Sequence, residues 1–175
     1  MENYNKNLPV IALRNLTVLP GMMIHFDVNR EITIKAIEEA MLGDQMVFLV
    51  SQKDTEVEEP KDEDLESFGT IALVKQVIKL SDDILRIMVV GIQRAELICL
   101  EKEEPFLLGE VEVAEDHSLD MINPLEQKAM GDQLKKLFEF YCIETNKSGS
   151  KALEKIQEIQ NIDKLVNDIA INLAL

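Results

Sequence analysis

The sequence predicts an α+β protein: a partly closed β-barrel with one helix over residues 1–117, then a small α-helical subdomain over 118–175. Three observations predict it. The first two thirds of the chain are short apolar or alternating runs separated by turn residues, the pattern of strands. One stretch within that part, residues 30–42, carries apolar residues at helical spacing instead. From about residue 117 the pattern becomes helical throughout, opening on Asn123-Pro124-Leu125-Glu126.

LPVIALRN (8–15) is a short apolar strand bounded by Asn7 and Asn15. VLPGMMIHFDV (18–28) is strand-like around a Pro-Gly turn. Pro20 has no N–H for a ladder, so this segment begins at a sheet edge or a bulge. Asn29 is placed to cap a helix over REITIKAIEEAML, with Gly43 as its stop and Ile34, Ile37, Ala40 and Met41 as its buried stripe. QMVFLVSQ (45–52) is a continuous apolar strand. DTEVEEPKDEDLE (54–66) holds eight acids against one lysine and reads as a solvated loop.

FGTIALVKQVIKL (68–80) and ILRIMVVGIQRAELICL (84–100) flank Ser81-Asp82-Asp83 and read as a hairpin. With Asp82-Asp83 as the turn, Leu80 opposes Leu85, Ile78 opposes Ile87 and Gln76 opposes Val89 on the core face. The other face then pairs Lys79 with Arg86, Val77 with Met88 and Lys75 with Val90, mixing cations with a small apolar group. A slip of one residue would exchange these faces. PFLLGEVEVAED (105–116) supplies a further strand, alternating at Val111 and Val113. Five or six strands and one helix make a small, partly closed barrel.

In the helical part, Asn123 is the cap, Pro124 lies in the first turn and Glu126 occupies the capping-box position. Met130, Leu134, Leu137, Phe138 and Tyr141 form a stripe, and the helix runs to about Glu144, before NKSGS. Two shorter helices are expected near 150–158 and 162–173, the last with a Leu165, Ile169 and Leu173 stripe. AINLAL carries no C-terminal cap signal, as at the cut end of a longer protein.

Composition narrows the function. The chain has 175 residues, 46% of them hydrophobic, with no Trp and only 5% aromatics, so the core is aliphatic. A net charge of −15 argues against nucleic acid and anionic membrane, because phosphate binding needs clustered Lys and Arg. No apolar run approaches the roughly 20 residues that span a bilayer. The N-terminus lacks a signal-peptide pattern, and two cysteines, Cys99 and Cys142, fit a reducing cytoplasm.

The residues show no catalytic constellation. His25 and His117 lie in different segments without ligand-spaced partners, so no metal is expected. No phosphate-binding loop and no nucleophile elbow occurs. What remains is surface. Exposed apolar patches mark contact sites, and Met suits a surface that accepts varied partners. Met22, Met23 and Phe26 form one candidate patch, and Val77, Leu80, Met88 and Val90 another. The competing reading places either group in the core.

LPVIALRNLTVLPGM, then NRE, FLVSQKD, the acidic loop with its EEP, FGTIA, IKLSDD and VVGIQRAEL resemble, in order, the N-terminal domain of the ATP-dependent protease Lon. Ser81-Asp82-Asp83 departs from the Pro-Asp-Gly common in that family. The resemblance implies a PUA-like β-rich subdomain followed by a helical one, and a role in recognising unfolded or damaged proteins. It also implies a cytoplasmic homo-hexamer whose ATPase ring binds ATP and Mg and whose Ser-Lys dyad cuts peptide bonds. Neither catalytic region lies in these 175 residues, so this chain is expected to hold no cofactor and catalyse nothing. The alternative is an assembly module that contacts neighbouring subunits or adaptors, or a free-standing binding protein of the same family.

Overall fold

The computed structural model describes residues 5–81, 83–114, 121–146 and 151–173. The order is β1 (Asn5–Leu13), β2 (Met23–Val28), α1 (Glu31–Leu42), β3 (Met46–Ser51), β4 (Phe68–Ser81), β5 (Ile84–Lys102), β6 (Leu108–Val113), α2 (Pro124–Glu144), α3 (Lys151–Glu158) and α4 (Ile162–Asn172). A short 3₁₀ turn, Asp62–Asp64, lies within the acidic loop. The chain divides into two compact units, Met1–Ala114 and Glu115–Leu175. The boundary expected at 117/118 lies outside the described residues.

The six strands run β2-β5-β4-β3-β1-β6, and β5 pairs again with β6. That second pairing closes β5, β4, β3, β1 and β6 into a ring and leaves β2 as an appended edge strand. Closure depends on the length of β5. Its first half, from Leu85 to Val90, pairs with β2, and its second half, from Ala95 to Lys102, pairs with β6. β1 and β3 are parallel, and α1 lies on the crossover between them.

Both faces of β1 and β3 are buried, which is why PVIAL and MVFLV read as unbroken apolar runs. Val10, Phe48, Ile71, Ala95 and Val111 pack together, one from each ring strand, and fill the ring interior. Ile11, Leu13, Val47 and Leu49 point the other way. They join Val74, Ile87 and Val89 under Ala36, Ile37 and Ala40 of α1.

α1 departs from expectation at its start and on its buried face. Its N-cap is Arg30, not Asn29, and no side chain caps the helix. The Arg30 guanidinium instead donates to the Ala12 carbonyl and to Gln52 Oε1, at 2.7 Å for the latter. That engagement leaves Arg30 extended, and the helix begins one residue later. The buried residues are Thr33, Ala36, Ile37 and Ala40, while Met41 is exposed. Gly43 ends the helix as expected.

The acidic loop is packed, not merely solvated. Leu65 and Pro60 are buried, and Leu65 bridges to Gln52. Lys53 N–H donates to Asp64 O (2.8 Å), and Arg14 donates to Val57 O (2.7 Å). The carboxylate of Asp62 accepts from Leu100 N–H at 2.9 Å.

In the second unit, Asn123 Oδ1 accepts from Glu126 N–H at 3.0 Å and caps α2. Leu134, Phe138, Tyr141 and Cys142 pack against Ile156 of α3 and Leu165 and Ile169 of α4. The buried arc of α2 is centred on Phe138, so Met130 and Leu137 of the expected stripe are exposed at its margin.

Candidate binding surface

Leu19-Pro20-Gly21-Met22 is a tight turn closed by Met22 N–H to Leu19 O at 3.0 Å. Gly21 has φ of 83°, and proline before a glycine of positive φ is the signature of a type II turn. The turn docks on Gly91 of β5. Gly21 N–H donates to Gly91 O, and Gly91 N–H donates to Met22 O, both at 2.9 Å. A Cβ on Gly91 would stand 2.3 Å from Leu19 O, so only glycine admits this approach.

Alternation along β2 then divides its side chains. Met22, Ile24 and Phe26 pack on the core beneath α1. Met23, His25 and Asp27 are exposed on the opposite face, and Met23 is 63% exposed. The first candidate patch is thus split, with Met23 alone outward.

The hairpin register differs from the expected one. Ser81 opposes Ile84, but Leu80 is bulged out, so Lys79 opposes Leu85 and Val77 opposes Ile87. A second irregularity at Lys75 brings Val74 opposite Val89. Each bulge moves one strand by a residue and exchanges its faces. Val77 therefore packs on the core with Ile87, whereas Ile78, expected inside, is exposed. Leu80 is exposed within its bulge. Asp82, half of the expected turn, lies outside the described residues.

The ladder brings Met23, Met88 and Val90 together. Met23 opposes Val90, which opposes Leu73 on β4. His25 opposes Met88, which opposes Gln76, and Asp27 opposes Arg86, which opposes Ile78. The result is a three-stranded face with an apolar row at Met23, Val90 and Leu73, and Met88 beside it. Leu73, Val90 and Met88 are half-buried. Leu73 and Ile78 belong to this face and escaped the sequence reading, because the bulges that set their direction have no residue signature.

Arg86 closes the far end of the face. Its Nε lies 2.7 Å from Asp27 Oδ1, and its terminal nitrogen donates to Oδ2 at 2.8 Å. The Arg86 hydrogen bond holds the Asp27 carboxyl below its ordinary value and raises Arg86 in turn.

A polar cavity of ≈ 580 Å³ lies between α1, the acidic loop and the β5–β6 connection, lined by Arg14, Arg30, Lys35 and several glutamates. Arg14 donates to Val57 O of the loop, and Arg30 donates to Ala12 O of β1 and to Glu58 O of the loop, so both side chains brace it. Burial holds Arg30 below its ordinary value, with Arg14 nearby adding to the effect. Among the described residues, no His, Cys, Asp or Glu form a group able to hold a metal. Desolvation pushes the Cys99 thiol up, and Glu110 adds to it, which opposes thiolate chemistry. His117 lies outside the described residues. No described helix is long and apolar enough to cross a membrane.

The family model of the ATP-dependent protease La (LON) substrate-binding domain matches residues 7–175. The chain belongs to the Lon substrate-binding domain family. It is 43% identical over its full length to a Lon protease of Lachnoclostridium phytofermentans, and 29% identical over 99% of its length to Lon protease 1 of Bacillus subtilis. It spans 22% of the length of each, so it corresponds to only part of those Lon proteases. The fold is that of the N-terminal domain of Mycobacterium avium complex Lon protease, with a TM-score of 0.74 at 20% identity. That match covers 97% of this chain and 83% of the other. A Lon N-terminal domain protein from Xanthomonas campestris matches at a TM-score of 0.55 and 15% identity, over 96% and 99% of the two chains.

Proposed function

We propose that this Lon substrate-binding domain captures unfolded or damaged proteins on the β2-β5-β4 face and holds them for degradation by a hexameric, ATP-dependent Lon protease. The chain catalyses nothing itself. In this reading ATP and Mg bind elsewhere in the parent, where a Ser-Lys dyad cuts the substrate in the cytoplasm. The carrying observation is the row of Met23, Val90 and Leu73 flanked by Met88. Apolar side chains on an open sheet face offer non-directional attraction, which suits clients that share exposed hydrophobic residues but no sequence. Contacts at one such face are weak. Several copies on one ring multiply them through effective concentration, and each copy still releases its segment readily.

The test is Met88→Asp. Met88 is already half-buried in the free domain, so losing the contact made by its exposed half removes about 0.8–1.5 kcal/mol, a drop in affinity of roughly four- to tenfold. We expect that loss in titrations with a denatured protein, with the amide spectrum of the domain otherwise preserved. Unchanged binding by a folded variant removes this face from substrate capture.

Assembly contact is the second reading, and α2 favours it. Leu137 and Phe140 are 59% and 61% exposed on that helix. Concentration-dependent self-association abolished by Phe140→Ser, without affinity for denatured protein, would select it.

A further inference from the structure

The open edge of β2 bears on how a client is held. Among the described residues, β2 pairs with β5 alone. Because Gly91 N–H donates to Met22 O, alternation directs the backbone groups of Ile24, Phe26 and Val28 at β5. Those of Met23, His25 and Asp27 therefore face outward. Among the described residues, no other strand pairs with that side.

Strand edges are ordinarily guarded by charge, proline or bulges. β2 is a regular strand with a single charged residue, Asp27, which Arg86 engages. Half-buried Ile24 and Phe26 flank the edge on one face, and exposed Met23 flanks it on the other. An arriving strand of alternating pattern would cover both sets at once.

We propose that the β2 edge takes an extended, neutral or basic apolar stretch of an unfolded polypeptide as an added strand, so that main-chain hydrogen bonds contribute to capture. This deepens the function proposed above and rests on it. Unpaired N–H and C=O groups at strand spacing specify another backbone as occupant, and every unfolded chain supplies one whatever its sequence. Charge selects against a second copy of this chain, because two chains of net charge −15 repel one another. An unfolded neutral or basic segment meets no such barrier.

The experiment uses two peptides and one protein. The first peptide is a Val-Thr repeat with lysine at each end, about ten residues long, enough to span a strand. The second is the same peptide methylated on every backbone nitrogen, which keeps the side chains and removes the donors. The protein is reduced lysozyme with its cysteines blocked by neutral carbamidomethyl groups, an unfolded basic chain. The unmethylated peptide should slow hydrogen exchange at the Met23, His25 and Asp27 amides. Methylation should weaken binding more than about tenfold. His25→Pro removes the central outward N–H and leaves the β5 ladder intact, so it should weaken both peptide and unfolded lysozyme by a similar factor. His25→Thr should not.

Equal binding of the two peptides, or undiminished binding of unfolded lysozyme by folded His25→Pro, overturns strand addition and leaves side-chain capture standing. Protection that grows with protein concentration and needs no peptide assigns the edge to a second copy and overturns the proposal. No binding of any probe overturns this inference and the proposed function together.

Discussion

Arg86 and Asp27 make a two-point ion pair across β5 and β2, both about half-exposed. Paired charges so exposed contribute little to stability, but this one fixes the end of the apolar face and consumes the only charge on β2. A carboxyl held below its ordinary value favours the folded state above its unfolded pKa. That contribution is fully present at neutral pH and is lost as pH falls from the usual carboxylate range through the lowered folded value, so its pH dependence lies entirely in acid. Arg86→Gln should raise the Asp27 carboxyl toward 3.8, its unperturbed value, in a carbon-detected pH titration. An unmoved midpoint would mean that the pair does not form in solution. Arg30 shows another residue-scale effect. Its guanidinium leaves the helix start for the Ala12 carbonyl, which no spacing rule anticipates.

At the scale of elements, β5 organises the first unit. One strand of nineteen residues serves β4 along most of its length, β2 on its first half and β6 on its second. The Pro20-Gly21 turn can dock only because Gly91 sits where β5 passes from one partner to the other. Gly91→Ala places a methyl group against Leu19 O and should cost about 1–3 kcal/mol, the usual range for overpacking. Denaturant unfolding measures this, and a change below roughly 0.5 kcal/mol, ordinary for surface substitutions, would show that the turn simply moves away. The hairpin formed by β4 and β5 was legible as a hairpin. Its faces were not, because the bulges at Lys75 and Leu80 that set them carry no residue signature. Helix ends were more readable. Asn123, Pro124 and Gly43 act within one turn of themselves, so local chemistry suffices.

At the scale of the whole molecule, charge is the dominant feature. A net −15 on 175 residues repels itself in the compact state more than in the expanded chain. Raising salt from about 0.01 to 0.15 M shortens the screening length from about 30 to 8 Å, so Tm should rise. A flat or falling Tm would mean that specific ion pairs outweigh the general repulsion.

The sequence by itself determined the α+β class, the strand-rich first part, the capped helix from Asn123 and the family. Each is written in period, punctuation or ordered motifs, which act over neighbouring residues. Only the tertiary structure decided the ring closure by β5, the packing of the acidic loop and which apolar residues face outward. Met23, Met88 and Val90 share a face while Met22, Phe26 and Val77 turn to the core. In a strand, one residue of register separates those outcomes, and that residue is fixed by bulges and partners distant in the chain.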